Sequence, residues 1–144
     1  MTAPFIDTDV IIRFLTGDDM SKQAEAAALF EAIKAGDLVV HAPVTVIADA
    51  VYVLSSRRLY GVPRDAVGRL LTPIVRLPGL RIRNRRAILR ALSLYAATTL
   101  DFSDALIVAE MERLHARVVC SYDEHFDQIH TLRRLAPAQV LADE

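Results

Sequence analysis

The chain has 144 residues, of which 53% are hydrophobic, and a formal net charge of −1. A chain of this length can bury about two-thirds of its unfolded surface in one core, so we predict a single domain spanning residues 1–144. The balanced charge excludes a protein coated in positive charge, although cations can still concentrate on one face. The apolar runs, such as 105–109, are far shorter than the roughly 18 residues of a membrane span.

The N-terminus and the cysteine content bear on the cellular compartment. An acidic residue already stands at position 7 with no basic segment before it, a pattern unlike a signal peptide. Cys120 is the only cysteine, so an internal disulfide is impossible. We therefore expect a cytoplasmic protein with no membrane association.

Short apolar runs alternate with helical patterns along the chain. In order, the patterns predict a strand at 4–7, helices at 9–16 and about 21–35, a strand at 38–41, and helices at 43–57 and 63–72. They continue with a strand at 80–82, helices at 85–97 and 103–116, a strand at 117–121, and a strand or loop at 135–137. Strands that alternate with helices indicate a parallel sheet covered on both faces.

Glycine and proline mark the predicted helix ends. Gly17 and Gly36 are suited to left-handed C-caps for the first two helices. Pro63 fits the first turn of its helix, and Pro73 is predicted to lie beyond that helix's end.

Asp7 ends one predicted parallel strand, and Asp123 follows another. The carboxyl ends of such strands form the edge where open α/β sheets bind ligands. An aspartate in this position also commonly caps the next helix. Either residue alone is consistent with both roles.

Asp49 and Asp104 lie on predicted helices. The helix around Asp49 is apolar nearly all round, so we expect a buried carboxylate that needs a cation, an arginine or a hydrogen-bond network. Asp104 is predicted to lie in the first turn of a helix capped by Asp101 or Ser103. Carboxylates brought into one pocket repel one another unless a cation or a shared proton relieves the charge. Convergence of the four aspartates would therefore indicate Mg²⁺ or Mn²⁺, which prefer oxygen ligands.

Three segments resemble motifs of the PIN-domain family: Phe5-Ile6-Asp7-Thr8-Asp9, Leu100-Asp101-Phe102-Ser103-Asp104-Ala105 and Ser121-Tyr122-Asp123. The stretch at 14–19 is most similar to VapC-type toxins of bacterial toxin–antitoxin pairs. The resemblance implies a three-layer α/β/α sandwich with a Rossmann-like parallel sheet. It also implies a Mg²⁺- or Mn²⁺-dependent endoribonuclease that forms a homodimer and is inhibited by a small VapB-like antitoxin.

Site roles follow from the same resemblance, position by position. It implies catalytic roles for Asp7, Asp49, Asp104 and Asp123. Metal ligands would be Asp7, Asp104 and Asp123, and supporting roles would fall to Thr8, Asp101 and Ser121. Asp49 departs from the family, which usually carries a glutamate there. The missing methylene draws the carboxylate back by about 1.5 Å, so Asp49 is expected to act through a water molecule.

Of the 17 basic residues, only Lys22 and Lys34 are lysines. The densest run of arginines supplies candidate phosphate contacts: Arg81, Arg83, Arg85 and Arg86. A solvated helix face would explain each of them equally well. Aromatic residues make up 6% of the chain and do not interleave with these runs, so the sequence does not indicate stacking on unpaired bases.

Other functions remain open. The same fold could serve as a catalytically weak binding module that acts through its protein partner. Asp7 and Asp9 resemble the nucleophile and acid of a haloacid-dehalogenase-like phosphatase, but Ile11 stands where that motif requires threonine. A zinc site from Cys120, His125 and His130 fits no standard spacing.

Overall fold

The computed structural model describes residues 2–142, so Met1, Asp143 and Glu144 of the predicted domain lie outside the described range. Its helices are α1 (Thr8–Leu15), α2 (Met20–Ala35), α3 (Val44–Ser55), α4 (Arg64–Arg76), α5 (Arg85–Ala97), α6 (Phe102–Leu114) and α7 (Pro137–Ala142). Its strands are β1 (Val40–His41), β2 (Leu80–Arg81), β3 (Val118–Cys120) and β4 (Arg133–Leu135), and a 3₁₀-helix covers Glu124–Gln128. The predicted three-layer α/β/α arrangement is confirmed, although the strands are shorter than expected.

The strands pair in parallel, as predicted. β1 pairs with β2, and β3 pairs with β4. The predicted first strand contributes a single parallel bridge, from Phe5 to His41. Two backbone hydrogen bonds support this bridge, from Ile6 N to His41 O at 2.9 Å and from His41 N to Pro4 O at 2.8 Å. Because His41 also pairs with Arg81, residues 5, 41 and 81 lie in a row across adjacent segments.

One cluster of buried apolar side chains joins the helices to the strands. Fully buried leucines and isoleucines from most elements meet there, and burying each of them contributes about 1.5–3 kcal/mol. α5 packs between α4 and α6. Gly68 of α4 lies against α5, where a Cβ would make ordinary van der Waals contact, at 3.6 Å from Leu92 O and 3.7 Å from Ala96 Cβ. Between residues 2 and 142, every helix is too short or too polar to cross a membrane.

Two of the predicted helix ends need correction, whereas the left-handed cap at Gly36, with φ 84°, is confirmed. α1 ends before Gly17, in an extended cap at Thr16, whose hydroxyl donates to Ile12 O at 2.7 Å. This side-chain bond satisfies the helix end without a left-handed glycine. α4 continues through Pro73 because Ile74 and Val75 beyond it are buried. Their packing outweighs the hydrogen bond that the proline removes.

Gly79 offers a test of the packing between α2 and β2. A Cβ there would lie 2.9 Å from Ile33 Cγ2 and 3.0 Å from both Ile33 O and Leu38 O. Backbone oxygens cannot swing aside, so we predict that Gly79→Ala lowers the free energy of unfolding by about 1–3 kcal/mol. Urea denaturation measures this change.

Gly17→Ala is the matched control, because a Cβ at Gly17 meets nothing within 4 Å. We expect it to leave the free energy of unfolding within about 0.5 kcal/mol of the wild-type value, or to raise it slightly. Equal denaturation midpoints for the two variants would contradict the close approach at Gly79.

Candidate acidic site at the start of α6

The first turn of α6 carries two carboxylates. Asp101 is the N-cap, and its Oδ1 accepts a hydrogen bond from Asp104 N at 2.9 Å. Of the two predicted caps, Asp101 is therefore the one used, and the prediction that Asp104 lies in the first turn is confirmed. Leu100 and Phe102 are buried on either side of the cap. These apolar anchors keep Asp101 at the surface and hold Asp104 half-buried.

Asp123 reaches the same place from the end of β3. Its N–H donates to Ser121 Oγ at 2.9 Å, and its Oδ1 accepts from His125 N at 2.9 Å. The second bond caps the 3₁₀-helix, which Phe126 anchors in the core. Asp123 is thus both a cap, as one sequence interpretation held, and a neighbour of Asp104.

Asp104 and Asp123 respond to this environment in opposite ways. Burial, together with the negative charges of Asp101 and Asp123, raises the pKa of the Asp104 carboxyl. Hydrogen bonds from the backbone and ring of His125, and one from the Asp104 side chain, lower the pKa of the Asp123 carboxyl. Of the two carboxyls, Asp104 therefore holds its proton more strongly and Asp123 ionises more readily. Such an unequal sharing is typical of carboxyls forced together.

His125 is a member of the acidic site, although the sequence analysis considered it only as a zinc ligand. Its Nδ1 lies 2.7 Å from Asp123 Oδ1. The available signal was the Asp-x-His spacing, since an aspartate after a strand often accepts from the backbone two residues further on. The zinc alternative gains no support, because Cys120 is exposed. Within residues 2–142, no group of three or more His, Cys, Asp or Glu side chains is arranged to hold a metal ion.

Asp7 caps α1 near the start of α3. Its Oδ1 accepts from Thr8 N at 2.7 Å, and the Thr8 hydroxyl donates to Val46 O at 3.3 Å. The second bond ties the start of α1 to the first turn of α3. Asp49 follows Val46 by one helical turn, so Asp7 and Asp49 lie on elements that touch.

The prediction that Asp49 is buried is wrong. Its side chain is exposed, together with those of Thr45 and Tyr52 on α3. These three positions recur at helical spacing and form one stripe in water, whereas Ile47 and Leu54 face the core. The Asp49 carboxylate therefore stays hydrated and requires no buried partner.

The predicted arginines also differ in their surroundings. Arg81, Arg83 and Arg86 are exposed, and Arg85 is half-buried. The Arg85 guanidinium donates to Leu77 O at 3.2 Å and to Leu80 O. Arg85 thus braces the turn before β2, which leaves the other three free to contact phosphate.

The structure therefore joins Asp104 and Asp123, with Asp101 and His125 beside them, and places Asp7 with Asp49 on adjoining elements. It does not assemble all four predicted aspartates into one ligand set among residues 2–142. Asp104 and Asp123 still fit Mg²⁺, which commonly uses one or two carboxylates and keeps several waters. The negative charge crowded at Asp104 is the observation that supports this fit, because a cation would relieve it.

The chain matches the PIN domain family over residues 5–132. The chain belongs to the PIN domain family. PIN domains are typically metal-dependent nucleases, so this PIN domain has a nuclease-type function. The resemblance to the family is thereby confirmed, and the phosphatase alternative has no remaining support. No curated protein matches the chain.

The raised pKa of Asp104 predicts a pH dependence of stability. Above the ordinary value of 3.8, the folded protein holds a proton that the unfolded chain releases, so stability from this group falls as pH rises. Asp104→Asn removes the carboxyl that causes this loss of stability. In EDTA, the free energy of unfolding of the variant should therefore rise relative to that of the wild type as pH increases from about 4 to 7.

Asp65→Asn provides a control of opposite sign. The Arg69 hydrogen bond lowers the pKa of Asp65, so Asp65 contributes stability above its unfolded pKa and loses it as pH falls. Relative to the wild type, the free energy of unfolding of its asparagine variant should therefore fall as pH rises to about the unfolded value of 3.8 and level off above it, so the pH series starts below 3.8. Urea denaturation across the pH series measures both. If the free energies of unfolding of Asp104→Asn and of the wild type change with pH in parallel, the crowding of charge at Asp104 is refuted.

Proposed function

We propose that the protein is a divalent-metal-dependent endoribonuclease that hydrolyses RNA phosphodiester bonds, and the toxin of a type II toxin–antitoxin system. The observation that carries the nuclease proposal is the pairing of Asp104 with Asp123, where burial and like charge raise the pKa of Asp104. Membership of the PIN domain family supports metal-dependent cleavage of nucleic acid. The VapC-like stretch at 14–19 supports the toxin role.

Asp104 and Asp123 would hold Mg²⁺ or Mn²⁺ through their carboxylate oxygens, with Asp7 as the third ligand. The bound cation would supply an activated water and would stabilise the charge that develops on the phosphate. A bound cation would favour the ionised form of Asp104, because it would balance the charge of the neighbouring carboxylates. Asp49, hydrated on α3, would orient a water molecule.

Four contacts would keep these carboxylates in place during reaction. The Asp101 cap holds the first turn of α6, and Ser121 accepts from the Asp123 N–H. The Thr8 hydroxyl holds the start of α1 against α3. His125, bound to Oδ1 of Asp123, fixes the rotation of that carboxylate. Residues bound in this way need little reorganisation when substrate arrives.

The proposed partners are a second copy of the chain and a VapB-like antitoxin, in the cytoplasm. Exposed apolar side chains support a partner surface. Ile107 and Leu114 on α6 lie seven residues apart on one helix face, and they border an apolar groove with Met111.

An RNA-cleavage assay tests the nuclease proposal. With Mg²⁺ or Mn²⁺, the wild type should cleave a fluorescently labelled RNA, and EDTA should abolish the cleavage. Asp104→Asn and Asp123→Asn should each slow cleavage at least about 100-fold, because each removes a ligand charge. Asp37→Asn changes an exposed aspartate between α2 and β1 and should cleave at the wild-type rate.

The same assay separates the enzyme from the catalytically weak binding module. The exposed Asp49, which stands where the family usually carries a glutamate, favours that second function. A wild type that cleaves no RNA with either metal, or an Asp104→Asn variant as fast as wild type, would reject the enzyme in its favour.

Asp49→Glu restores the residue that the family usually carries. The added methylene extends the exposed carboxylate by about 1.5 Å, and a misplacement of about 1 Å can cost 100-fold in rate. We predict that kcat rises about tenfold, with an unchanged thermal midpoint because the side chain lies in water. An unchanged kcat would show that Asp49 takes no part in the reaction.

A further inference from the structure

We propose that Phe5 and His41 form a stacking platform for one unpaired RNA base, and that Arg81 and Arg83 contact the phosphates beside it. The proposal adds a substrate subsite to the proposed nuclease and rests on that function for its biological purpose. It reverses the expectation from the sequence, where no aromatic residue stands near the arginine run.

The fold brings the aromatic rings to the arginines through strand pairing. Phe5 pairs with His41, and His41 pairs with Arg81. The rings of Phe5 and His41 are stacked, with centroids 5.1 Å apart and planes inclined by 29°. Phe5 nevertheless remains 71% exposed, which is a costly position for a phenyl ring in water. A ring stacked on one side and exposed elsewhere is the form that base-stacking platforms take.

These residues line a cavity of about 930 Å³ at the carboxyl ends of β1 and β2. Its other walls include Ile88 of α5 and Leu106 of α6. The volume lies within the roughly 300–1,000 Å³ of sites for small organic groups, so a nucleotide has room to enter. The walls combine apolar surface with cations, which suits a flat base joined to an anionic backbone.

Some polar groups of the residues that line the cavity have no partner in the described structure. Among residues 2–142, no ion pair or hydrogen bond engages the Arg81 and Arg83 side chains, and both are exposed. Arg85 Nε and Glu110 Oε1 are buried without hydrogen-bond partners in the described structure. One is a donor and the other an acceptor. Base edges and ribose hydroxyls offer both complementary groups, so a nucleotide suits this lining better than an apolar ligand does.

The cavity and Asp7 share one chain segment. Phe5, which lines the cavity, precedes Asp7 by two residues in an extended stretch. A base held at Phe5 would therefore keep its backbone close to Asp7. Because stacking on a protein ring requires an unstacked base, the platform selects single-stranded RNA over a duplex.

Binding of a fluorescein-labelled single-stranded RNA by metal-free protein in EDTA tests the platform without cleavage. Phe5→Leu keeps an apolar side chain but loses the aromatic face, and should weaken binding about 5- to 100-fold. An RNA duplex of the same length should show no such loss. Tyr52→Leu removes an equally exposed ring, 72% accessible on α3, and should bind single strands as the wild type does.

Salt dependence separates stacking from phosphate contact. Phe5→Leu should leave the slope of log K against log salt unchanged, whereas Arg81→Gln should reduce its magnitude by about 0.7 for a single strand. A 2-aminopurine base in the RNA should be quenched on binding to wild type and not to Phe5→Leu. Single-strand affinity and quenching that are the same in Phe5→Leu as in wild type would overturn the platform.

The remaining outcomes are equally decisive. A Phe5→Leu variant that changes oligomeric state by light scattering, with RNA affinity intact, would make this face a protein interface and overturn the proposal. Metal-dependent cleavage that is equal in Phe5→Leu and wild type, with equal affinities, would reject the subsite but keep the nuclease. Weakened single-strand binding by Phe5→Leu in a protein that never cleaves RNA would keep the subsite and reject the nuclease.

Discussion

Negative charge held together at the start of α6 is the constraint on which the site depends. The cap bond places the carboxyls of Asp101 and Asp104 within one helical turn, and β3 delivers Asp123 to the same point. In a flexible chain these charges would separate. Here Leu100 and Phe102, buried beside the cap, prevent separation because moving the carboxylates apart would expose the core. The repulsion is therefore maintained by packing, and only a proton or a cation can relieve it.

Core packing also explains how far the fold could be predicted. α5 has the predicted bounds because its apolar spacing and its flanking residues indicate the same helix ends. The strands are shorter than their apolar runs. An apolar run indicates which side chains are buried, but not how many of its backbone groups are hydrogen-bonded to a neighbouring strand. The helix end predicted before Pro73 was wrong for a related reason. Local propensity favours a helix end there, whereas burial of the residues after Pro73 stabilises a longer helix.

The site was predictable where it depends on local chemistry, and less so where it depends on distant contacts. Capping by Asp101 follows from residue type and position. Counting apolar neighbours along α3 suggested that Asp49 is buried, but burial depends on the helix face, and its face carries Thr45 and Tyr52. The row from Phe5 through His41 to Arg81 joins residues far apart in sequence. Only strand pairing reveals such contacts.

The acidic site repels an approaching phosphate, whereas the arginines that line the cavity attract it. A phosphodiester approaching Asp104 and Asp123 meets negative charge, and the chain as a whole, at a net −1, offers no general attraction. Attraction must therefore be local, which favours the exposed guanidinium groups of Arg81 and Arg83. Strand pairing sets Arg81 beside His41, and His41 beside the Phe5 ring that precedes Asp7. A bound divalent cation would then offset the remaining repulsion between the carboxylates and the phosphate, because it attracts both.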